Sequence, residues 1–285
     1  MQTAYSTRVP YKLDDQVFFL QLIEEMIDVA AGHGTNILAF PELFTMPYPF
    51  HTPSLINWQE YAETEKGKTF QLMKRMALQH NIVIIYSILE LSDDKRCFNT
   101  CFVVSNRGEL IGKCRKYHIP PIEAPYITPG DFDPPVFETD FGKIGILICY
   151  ERHFPLRWLL LASKGAEIIF NPSSEDESGL SEKMWEVECL NAAVANGVVT
   201  VAINRCGSET FEENTFNYFG NSYVASPYGT IESVNSQDQR VCVVEIDLNG
   251  CKKAKEGLSF HKNQKISKYA EKLSEIYQNK KHQAE

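Results

Sequence analysis

Apolar and polar residues recur along the chain with two periods, which predict helices and strands in alternation. Helical spacing of apolar positions predicts helices over residues 19–30, 69–79, 155–164, 181–196 and 261–277. Short apolar runs predict strands near 3–9 and over 36–40, 82–89, 99–104, 109–113, 137–139, 143–149, 168–170, 198–204, 221–226, 231–234 and 240–247.

The order of these elements indicates an α/β fold. Turns at residues 106–108 and 140–142 predict two antiparallel hairpins, which parallel βαβ units alone would not contain. We therefore predict two mixed sheets with helices outside. The chain has no linker, internal repeat or low-complexity stretch. It is interpreted as a single domain over residues 1–285, with a C-terminal helical tail from about residue 261.

Composition and charge narrow the classes of function. The 285 residues are 44% hydrophobic and 23% charged, and the net charge is −9. This acidic balance argues against nucleic-acid binding. No apolar run reaches the ~18 residues of a membrane span, and the first ten residues lack the apolar region of a signal peptide. We expect a cytoplasmic protein whose eight scattered cysteines are free thiols, without a metal site.

Three predicted strands run out into a residue with reactive or polar chemistry. The strand over 36–40 leads to Glu42, the strand over 143–149 ends on Cys149, and the strand over 168–170 leads to Asn171. Strand ends are where α/β folds bind ligands. A carboxylate, a thiol and an amide are therefore expected to converge on one pocket.

Cys149 is the strongest candidate for a nucleophile, although most cysteines are buried structural residues. It ends a strand just before a polar run and a predicted helix that begins near Pro155. A helix N-terminus and nearby cations favour the thiolate. Glu42 is either a solvated loop charge or a general base. Lys116 lies in a basic run and, if buried, needs a carboxylate partner such as Glu42 or Glu123.

Other catalytic constellations are missing or undecided in the sequence. It contains no G-x-S-x-G, no H-E-x-x-H and no P-loop motif. Either His118 or His153 could form a Cys–His pair with Cys149. Residue types and spacing therefore predict a thiol hydrolase with undetermined helper groups.

Three segments resemble, in order, the signature blocks of the nitrilase superfamily. They are residues 40–43 (FPEL), 115–120 (RKYHIP) and 148–155 (ICYERHFP), and residues 165–173 resemble the block that follows. The resemblance extends over nearly the whole chain. Within the superfamily the chain is most similar to β-ureidopropionases, in residues 44–47, 112–120, 152–153, 202–205 and 268–273.

The resemblance implies a four-layer α-β-β-α sandwich without a metal or organic cofactor. It implies a small amide or ureido substrate, with N-carbamoyl-β-alanine first, and a homodimer or higher homo-oligomer. Glu42 would be the general base, Lys116 the cation at the tetrahedral intermediate and Cys149 the nucleophile. Glu123 matches the second glutamate of the family, which helps to position the site.

Four further residues are expected to contact the substrate. Arg152 is assigned to a substrate carboxylate, because a planar guanidinium pairs with it through two hydrogen bonds. The backbone N–H of Tyr150 is assigned to the oxyanion. His118 and Asn171 complete this expected set.

Two positions depart from the β-ureidopropionase pattern, since Glu151 stands in place of Gly and Phe154 in place of His. Glu151 and Arg152 are thus expected to decide the substrate, although Arg152 in a salt bridge with Glu151 or Glu186 is the structural alternative. Another amidase of the superfamily, acting on N-carbamoylputrescine or an ω-amide, is the enzymatic alternative. A catalytically silent binding or assembly protein on this fold is the alternative of a different class.

Overall fold

The computed structural model describes residues 2–6, 16–54, 58–177, 181–229, 231–233 and 241–284. Its strands are β1 (Gln2–Ser6), β2 (Ile37–Ala39), β3 (Val83–Leu91), β4 (Cys97–Val104), β5 (Leu110–Arg115), β6 (Val136–Thr139), β7 (Gly142–Ile146), β8 (Ile168–Ser173), β9 (Val199–Asn204), β10 (Cys206–Phe211), β11 (Asn214–Phe219), β12 (Tyr223–Ala225), β13 (Ile231–Ser233) and β14 (Val241–Glu245). Its α-helices are α1 (Gln16–Gly32), α2 (Lys68–His80), α3 (Pro155–Ser163), α4 (Ser181–Asn196), α5 (Leu248–Leu258), α6 (Phe260–Asn263) and α7 (Ile266–Ala284).

Twelve of the strands form two six-stranded mixed sheets. The first has the order β14-β1-β2-β3-β4-β5 and the second has the order β13-β12-β9-β8-β7-β6. Each sheet has three parallel strands at its centre, β1-β2-β3 and β7-β8-β9, and antiparallel strands outside them. Strands β10 and β11 form a separate hairpin.

Alternation along each strand gives the sandwich its four layers. On β2, Ile37 and Ala39 belong to the core between the sheets, whereas Leu38 packs under α1 and α2. On β8, Ile168 and Phe170 face the same central core, whereas Ile169 packs under α3 and α4. Successive strand residues point to opposite faces. Continuous apolar runs are therefore buried on both sides, and the predicted α-β-β-α arrangement is confirmed.

The predicted elements match the described ones closely where the apolar pattern is strong. Helix α4 has the predicted bounds, and both predicted hairpins form, as β4-β5 and β6-β7. The predicted first strand is described as β1, and residues 7–9 of that prediction lie outside the described residues, as do Val234 and Arg240 of two later strands.

Three features near the C-terminal half were not predicted or were predicted wrongly. The hairpin β10-β11 and helix α5 were missed, and the single helix over 261–277 is two helices, α6 and α7. In β10, Ser208 and Thr210 are exposed, so the hairpin has little of the apolar signal that identifies a strand.

The fold brings the predicted strand ends to one edge of the sandwich. Lys116 follows directly on β5, and its backbone N–H donates to the carbonyl of Asn99 at 2.9 Å.

All eight cysteines are free thiols. Among the described residues, no helix combines the length and the apolar character needed to cross a bilayer. The cytoplasmic location remains a prediction.

Candidate active site

Glu42 lies in a turn after β2 whose backbone is held from three sides. The next residue, Leu43, has a φ of 46° in the left-handed region, which non-glycine residues rarely adopt. Its N–H donates to Ser87 Oγ at 3.1 Å. The Glu42 carbonyl accepts from Ser174 Oγ at 3.0 Å and from Arg205 Nη2 at 3.1 Å. These bonds hold a strained turn, and with it the Glu42 side chain, in one position.

The Glu42 carboxylate is fully buried and has one oxygen engaged and one open. Oε1 accepts from Lys116 Nζ at 2.8 Å and from Asn99 Nδ2 at 2.7 Å. Asn99 is oriented by Ser87, whose Oγ donates to Asn99 Oδ1 at 3.3 Å. Within the described chain, Glu42 Oε2 has no hydrogen-bond partner. This oxygen is available to accept a proton from a reacting group.

Lys116 is a buried cation between two buried carboxylates. Its Nζ lies 2.7 Å from Glu123 Oε1 and 2.8 Å from Glu42 Oε1. Burial alone would lower the pKa of Lys116, but the charges of Glu123 and Glu42 outweigh it and raise that pKa well above its ordinary value. Tyr48 OH donates to Glu123 Oε1 at 2.7 Å. Lys116 is therefore a fixed positive charge with the partners that the sequence suggested.

Cys149 follows the end of β7 in a conformation that few side chains adopt. Its φ is 48°, so the chain turns sharply into a short 3-10 turn over Cys149–His153. A non-glycine residue held there costs about 1–3 kcal/mol, and such strain often occurs at functional sites. The Cys149 carbonyl accepts from Asn171 Nδ2 at 3.3 Å and from Arg152 Nη1 at 3.4 Å.

Glu151, which was expected to help decide the substrate, holds this turn from inside the protein. It is fully buried. Its carboxylate accepts from the backbone N–H of Ile148 at 2.9 Å, from that of Tyr117 at 3.2 Å and from Arg157 Nη2 at 2.9 Å. A buried carboxylate with three donors is satisfied within the protein. Its role is to fix the backbone on both sides of Cys149.

The thiol of Cys149 is protonated at rest, in contrast to the thiolate that the sequence favoured. Burial raises the pKa of Cys149 well above its ordinary value, and the charges of Glu175 and Glu42 add to this, against Lys116 and Arg152. Among the described residues, its one hydrogen bond goes to Glu175 Oε1 at 3.1 Å. The nucleophile therefore needs a base during the reaction.

Glu175 and Glu42 differ as candidates for that base. Burial alone would raise the pKa of Glu175, but its ion pair with Arg152 outweighs burial and lowers that pKa. A carboxylate with a lowered pKa accepts a proton poorly. Glu42, with its open oxygen, is the better acceptor.

Arg152 and Asn171 make internal contacts rather than the expected substrate contacts. Arg152 is buried, and its guanidinium pairs with Glu175 and Glu188 instead of either glutamate suggested by the sequence. Asn171 is also buried and donates to the carbonyl of Leu147 at 2.7 Å. Both side chains hold the nucleophile turn through the Cys149 carbonyl, and both are buried rather than exposed to a substrate.

The two histidines also have partners other than the thiol. The His118 ring stacks on Phe154 with ring centroids 3.8 Å apart. His153 Nδ1 lies 2.7 Å from Glu188 Oε1. The thiol donates to Glu175 instead, so this geometry does not support a Cys–His pair.

A pocket of about 260 Å³ opens onto the thiol. Its described lining includes Tyr150, as expected, and has acidic and histidine side chains but no Lys or Arg; the residues are Tyr48, His51, Pro120, Ile122, Cys149, Tyr150, His153, Ser174, Glu175, Asp176 and Ser181. Such a volume accommodates a small molecule of a few carbon atoms. Among the described residues, no group of three or more His, Cys, Asp or Glu side chains is arranged to hold a metal ion.

Sequence reasoning missed four side chains that build this site. Asn99 gave a usable signal, because it is a polar residue inside an otherwise apolar strand. Arg205 lies in a stretch that resembled the family, but nothing in its spacing linked it to Glu42. Tyr48 and Glu175 lie in loops, where their residue types are common.

The chain is similar to known proteins in sequence and in fold. A family profile described as Carbon-nitrogen hydrolase matches residues 4–256. The chain is 37% identical to a β-ureidopropionase of Arabidopsis thaliana, over 95% of this chain and 70% of that protein. It is 31% identical to an N-carbamoylputrescine amidase of Oryza sativa subsp. japonica, over 86% of each. A carbon-nitrogen hydrolase structure from Helicobacter pylori G27 superposes with a TM-score of 0.86 at 24% identity, over 96% of this chain and 98% of that one.

Proposed function

The chain belongs to the carbon–nitrogen hydrolase family, and from that premise we propose that it hydrolyses the carbamoyl group of a small ureido compound through a covalent intermediate on Cys149. One observation supports this most strongly. A buried Lys116, held by Glu42 and Glu123, opposes the rise that burial causes in the pKa of the Cys149 thiol, which follows β7 in a strained turn. These are the parts that acyl transfer requires: a nucleophile, a base and a fixed positive charge.

In the first step, Cys149 attacks the ureido carbonyl carbon. The thiol proton passes to Glu42, the C–S bond forms, and the carbonyl electrons move onto oxygen. The Lys116 ammonium and the backbone N–H of Tyr150 stabilise this oxyanion, and a donor in such a position contributes about 3 kcal/mol. Collapse of the intermediate breaks the C–N bond, and Glu42 returns the proton to departing ammonia.

In the second step, water releases the acyl group. Glu42 takes a proton from water, the hydroxide forms a C–O bond at the same carbonyl carbon, and the C–S bond breaks with the proton returned to Cys149. The carbamic acid that leaves decomposes to carbon dioxide and the free amine. Glu123 contributes by holding Lys116, and Tyr48 by donating to Glu123.

Two substrates have separate support. N-carbamoyl-β-alanine is supported by the 37% identity to a protein named β-ureidopropionase, and it would yield β-alanine, carbon dioxide and ammonia. A ureido amine such as N-carbamoylputrescine is supported by a pocket whose described lining includes Glu175 and Asp176 but no Lys or Arg. It is also supported by the 31% identity to an N-carbamoylputrescine amidase.

An ammonia-release assay over ureido acids, ureido amines and ω-amides tests the proposal. Purified protein should release ammonia from at least one ureido compound, and Cys149→Ala should abolish release while thermal unfolding shows an intact fold. Cys251→Ala, which removes a thiol on α5, is the matched control and should retain turnover. Full activity of Cys149→Ala would contradict the acyl-enzyme, and release of no ammonia from any member would favour a catalytically silent protein.

A homodimer or higher homo-oligomer is proposed from the resemblance. One feature agrees with it: helix α7 exposes apolar side chains with three- and four-residue spacing, namely Ile266, Tyr269, Leu273 and Ile276. This spacing places them on one face of the helix, as in helices that pack against a second copy. A solution mass equal to one chain in light scattering would contradict this proposal.

A further inference from the structure

Glu175 separates Arg152 from the pocket that contains the nucleophile. The Glu175 side chain lines this pocket and accepts the thiol hydrogen bond of Cys149 at 3.1 Å. Arg152 lies behind it and is 1% exposed. A substrate placed at the thiol therefore meets a carboxylate before it meets the guanidinium.

Each nitrogen atom of the Arg152 guanidinium lies close to an oxygen atom of another side chain. Nη1 pairs with Glu175 Oε1, Nη2 donates to Ser181 Oγ at 3.2 Å, and Nε lies 3.0 Å from Glu188 Oε2. The Trp185 ring covers one face, with its centroid 5.3 Å from Cζ. A substrate carboxylate would have to displace Glu175 and leave that side chain charged without its partner, which is strongly unfavourable.

Glu175 is a fixed part of the pocket and carries a charge at neutral pH. Its backbone N–H donates to Asn204 Oδ1 at 2.8 Å, and Asn204 Nδ2 donates back to the Glu175 carbonyl at 3.0 Å. The pair with Arg152 lowers the pKa of Glu175 despite burial, which alone would raise it. The carboxylate beside the thiol is thus ionised when substrate arrives.

The rest of the described lining adds no positive side chain that is permanently charged. Asp176 Oδ2 lies 3.0 Å from His51 Nε2, and Lys and Arg are missing from the described lining. A pocket lined by negative charge concentrates cations and repels anions. The far end of the preferred substrate should therefore be positive.

We propose that Glu175 is a specificity-determining residue, which occupies Arg152 so that the pocket prefers a ureido compound with an ammonium at its far end over one with a carboxylate. This inference rests on the proposed hydrolysis and extends it by naming the substrate class, the carbamoyl derivative of a diamine. Glu175 acts on which substrate binds and aligns, whereas Glu42 remains the base.

Three ureas of similar length test the inference: (3-aminopropyl)urea, uncharged propylurea and N-carbamoyl-β-alanine. Their kcat/KM values are measured by ammonia release for the wild-type protein and for Glu175→Gln, which keeps the shape and removes the charge. The wild type should prefer the aminopropyl compound. In Glu175→Gln, kcat/KM for N-carbamoyl-β-alanine divided by kcat/KM for (3-aminopropyl)urea should rise at least about tenfold. Removing one unit charge near the substrate weakens the preference for a cationic over an anionic compound by this much.

Two controls separate the hold on Arg152 from general effects. Glu175→Asp retains the charge and should keep the preference for the aminopropyl compound. Asp176→Asn also removes one negative charge from the pocket but leaves the pair between Glu175 and Arg152 in place. The ratio of the two kcat/KM values should therefore change less in Asp176→Asn than in Glu175→Gln. Propylurea reports any loss of reactivity at Cys149, because it has no charge at its far end.

The outcomes for the inference and for the proposed function are distinguishable. A wild-type preference for N-carbamoyl-β-alanine, or a ratio unchanged in a folded Glu175→Gln, overturns the inference while hydrolysis stands. An equal or larger shift in Asp176→Asn overturns the assignment to the Arg152 pair. No ammonia from any of the three ureas counts against the proposed function itself.

Discussion

Replacing Lys116 with Met tests the buried charge cluster at the centre of the site. Met fills a similar volume but leaves Glu42 and Glu123 buried without the cation that lies 2.8 and 2.7 Å from them. Removing one partner of a buried ion pair costs about 3–5 kcal/mol. For a chain of this size that corresponds to a fall in Tm of roughly 10 °C. Loss of the oxyanion charge should lower kcat by at least about 10²–10³-fold.

The pH dependence of this variant has a definite sign. Burial already raises the pKa of Glu123, and Lys116 opposes that rise. Without Lys116 the pKa of Glu123 in the folded protein rises further above its value in the unfolded chain. The resulting loss of stability is present at high pH, where Glu123 must be charged, and it fades as the pH falls toward the unfolded-state pKa. The deficit in Tm should therefore be smaller at pH 5 than at pH 8.

Thermal unfolding at both pH values, with ammonia release at neutral pH, measures this prediction. Lys143→Met is the matched control, because Lys143 makes an exposed pair with Glu138 at 2.7 Å. It should leave both Tm and turnover unchanged. A Lys116→Met protein with wild-type Tm and turnover, or with a deficit that grows at pH 5, would refute the reasoning.

Two further predictions concern residues outside the proposed bond-making groups. Asn171→Ala should lower kcat about tenfold or more with little change in KM, because the Asn171 amide positions the Cys149 carbonyl. Steady-state kinetics measure this effect. Asn196→Ala is the control, since the Asn196 amide donates within α4, and an equal loss of kcat in that variant would contradict the prediction. The pKa of Glu90 is lowered from 4.5 to about 2, since hydrogen bonds from Arg115, Lys113 and Thr100 outweigh the effect of burial. It should therefore contribute about 3 kcal/mol above pH 4.5, lost as pH falls through about 2. Denaturant unfolding should show Glu90→Gln destabilised at pH 6 and less so at pH 3, and an equal deficit at both would count against this pair.

The parts of the fold that sequence predicted are those where apolar spacing and end signals agree. Helix α4 was predicted residue for residue, because residues of helical spacing such as Trp185, Cys189 and Ala192 are buried and Gly197 follows its last residue. The hairpin β10-β11 had no such signal. Its position is fixed by tertiary contacts, in which Arg205 reaches the carbonyls of Glu42 and Leu43, 163 and 162 residues away. No local pattern encodes a contact at that separation.

Arg152 illustrates how the candidate site could be predicted only in part. Its residue type indicated a carboxylate partner, and sequence proximity suggested Glu151 or Glu186. The structure pairs it with Glu175 and, on α4, with Glu188 instead of Glu186. Residues two positions apart on a helix point about 200° apart around its axis, so Glu186 and Glu188 lie on opposite sides of α4. Identifying the partner requires the rotation of the helix about its axis, which depends on packing.

The protonated resting state of Cys149 has a consequence for the durability of the protein. Oxidants such as peroxide attack the thiolate, so susceptibility to sulfenic and sulfinic acid formation follows thiolate character. Burial and the two neighbouring carboxylates hold Cys149 as the thiol until a reacting carbonyl is in place. The thiol is therefore poorly reactive toward oxidants between turnovers, and it is susceptible to irreversible oxidation only while it is deprotonated during the reaction.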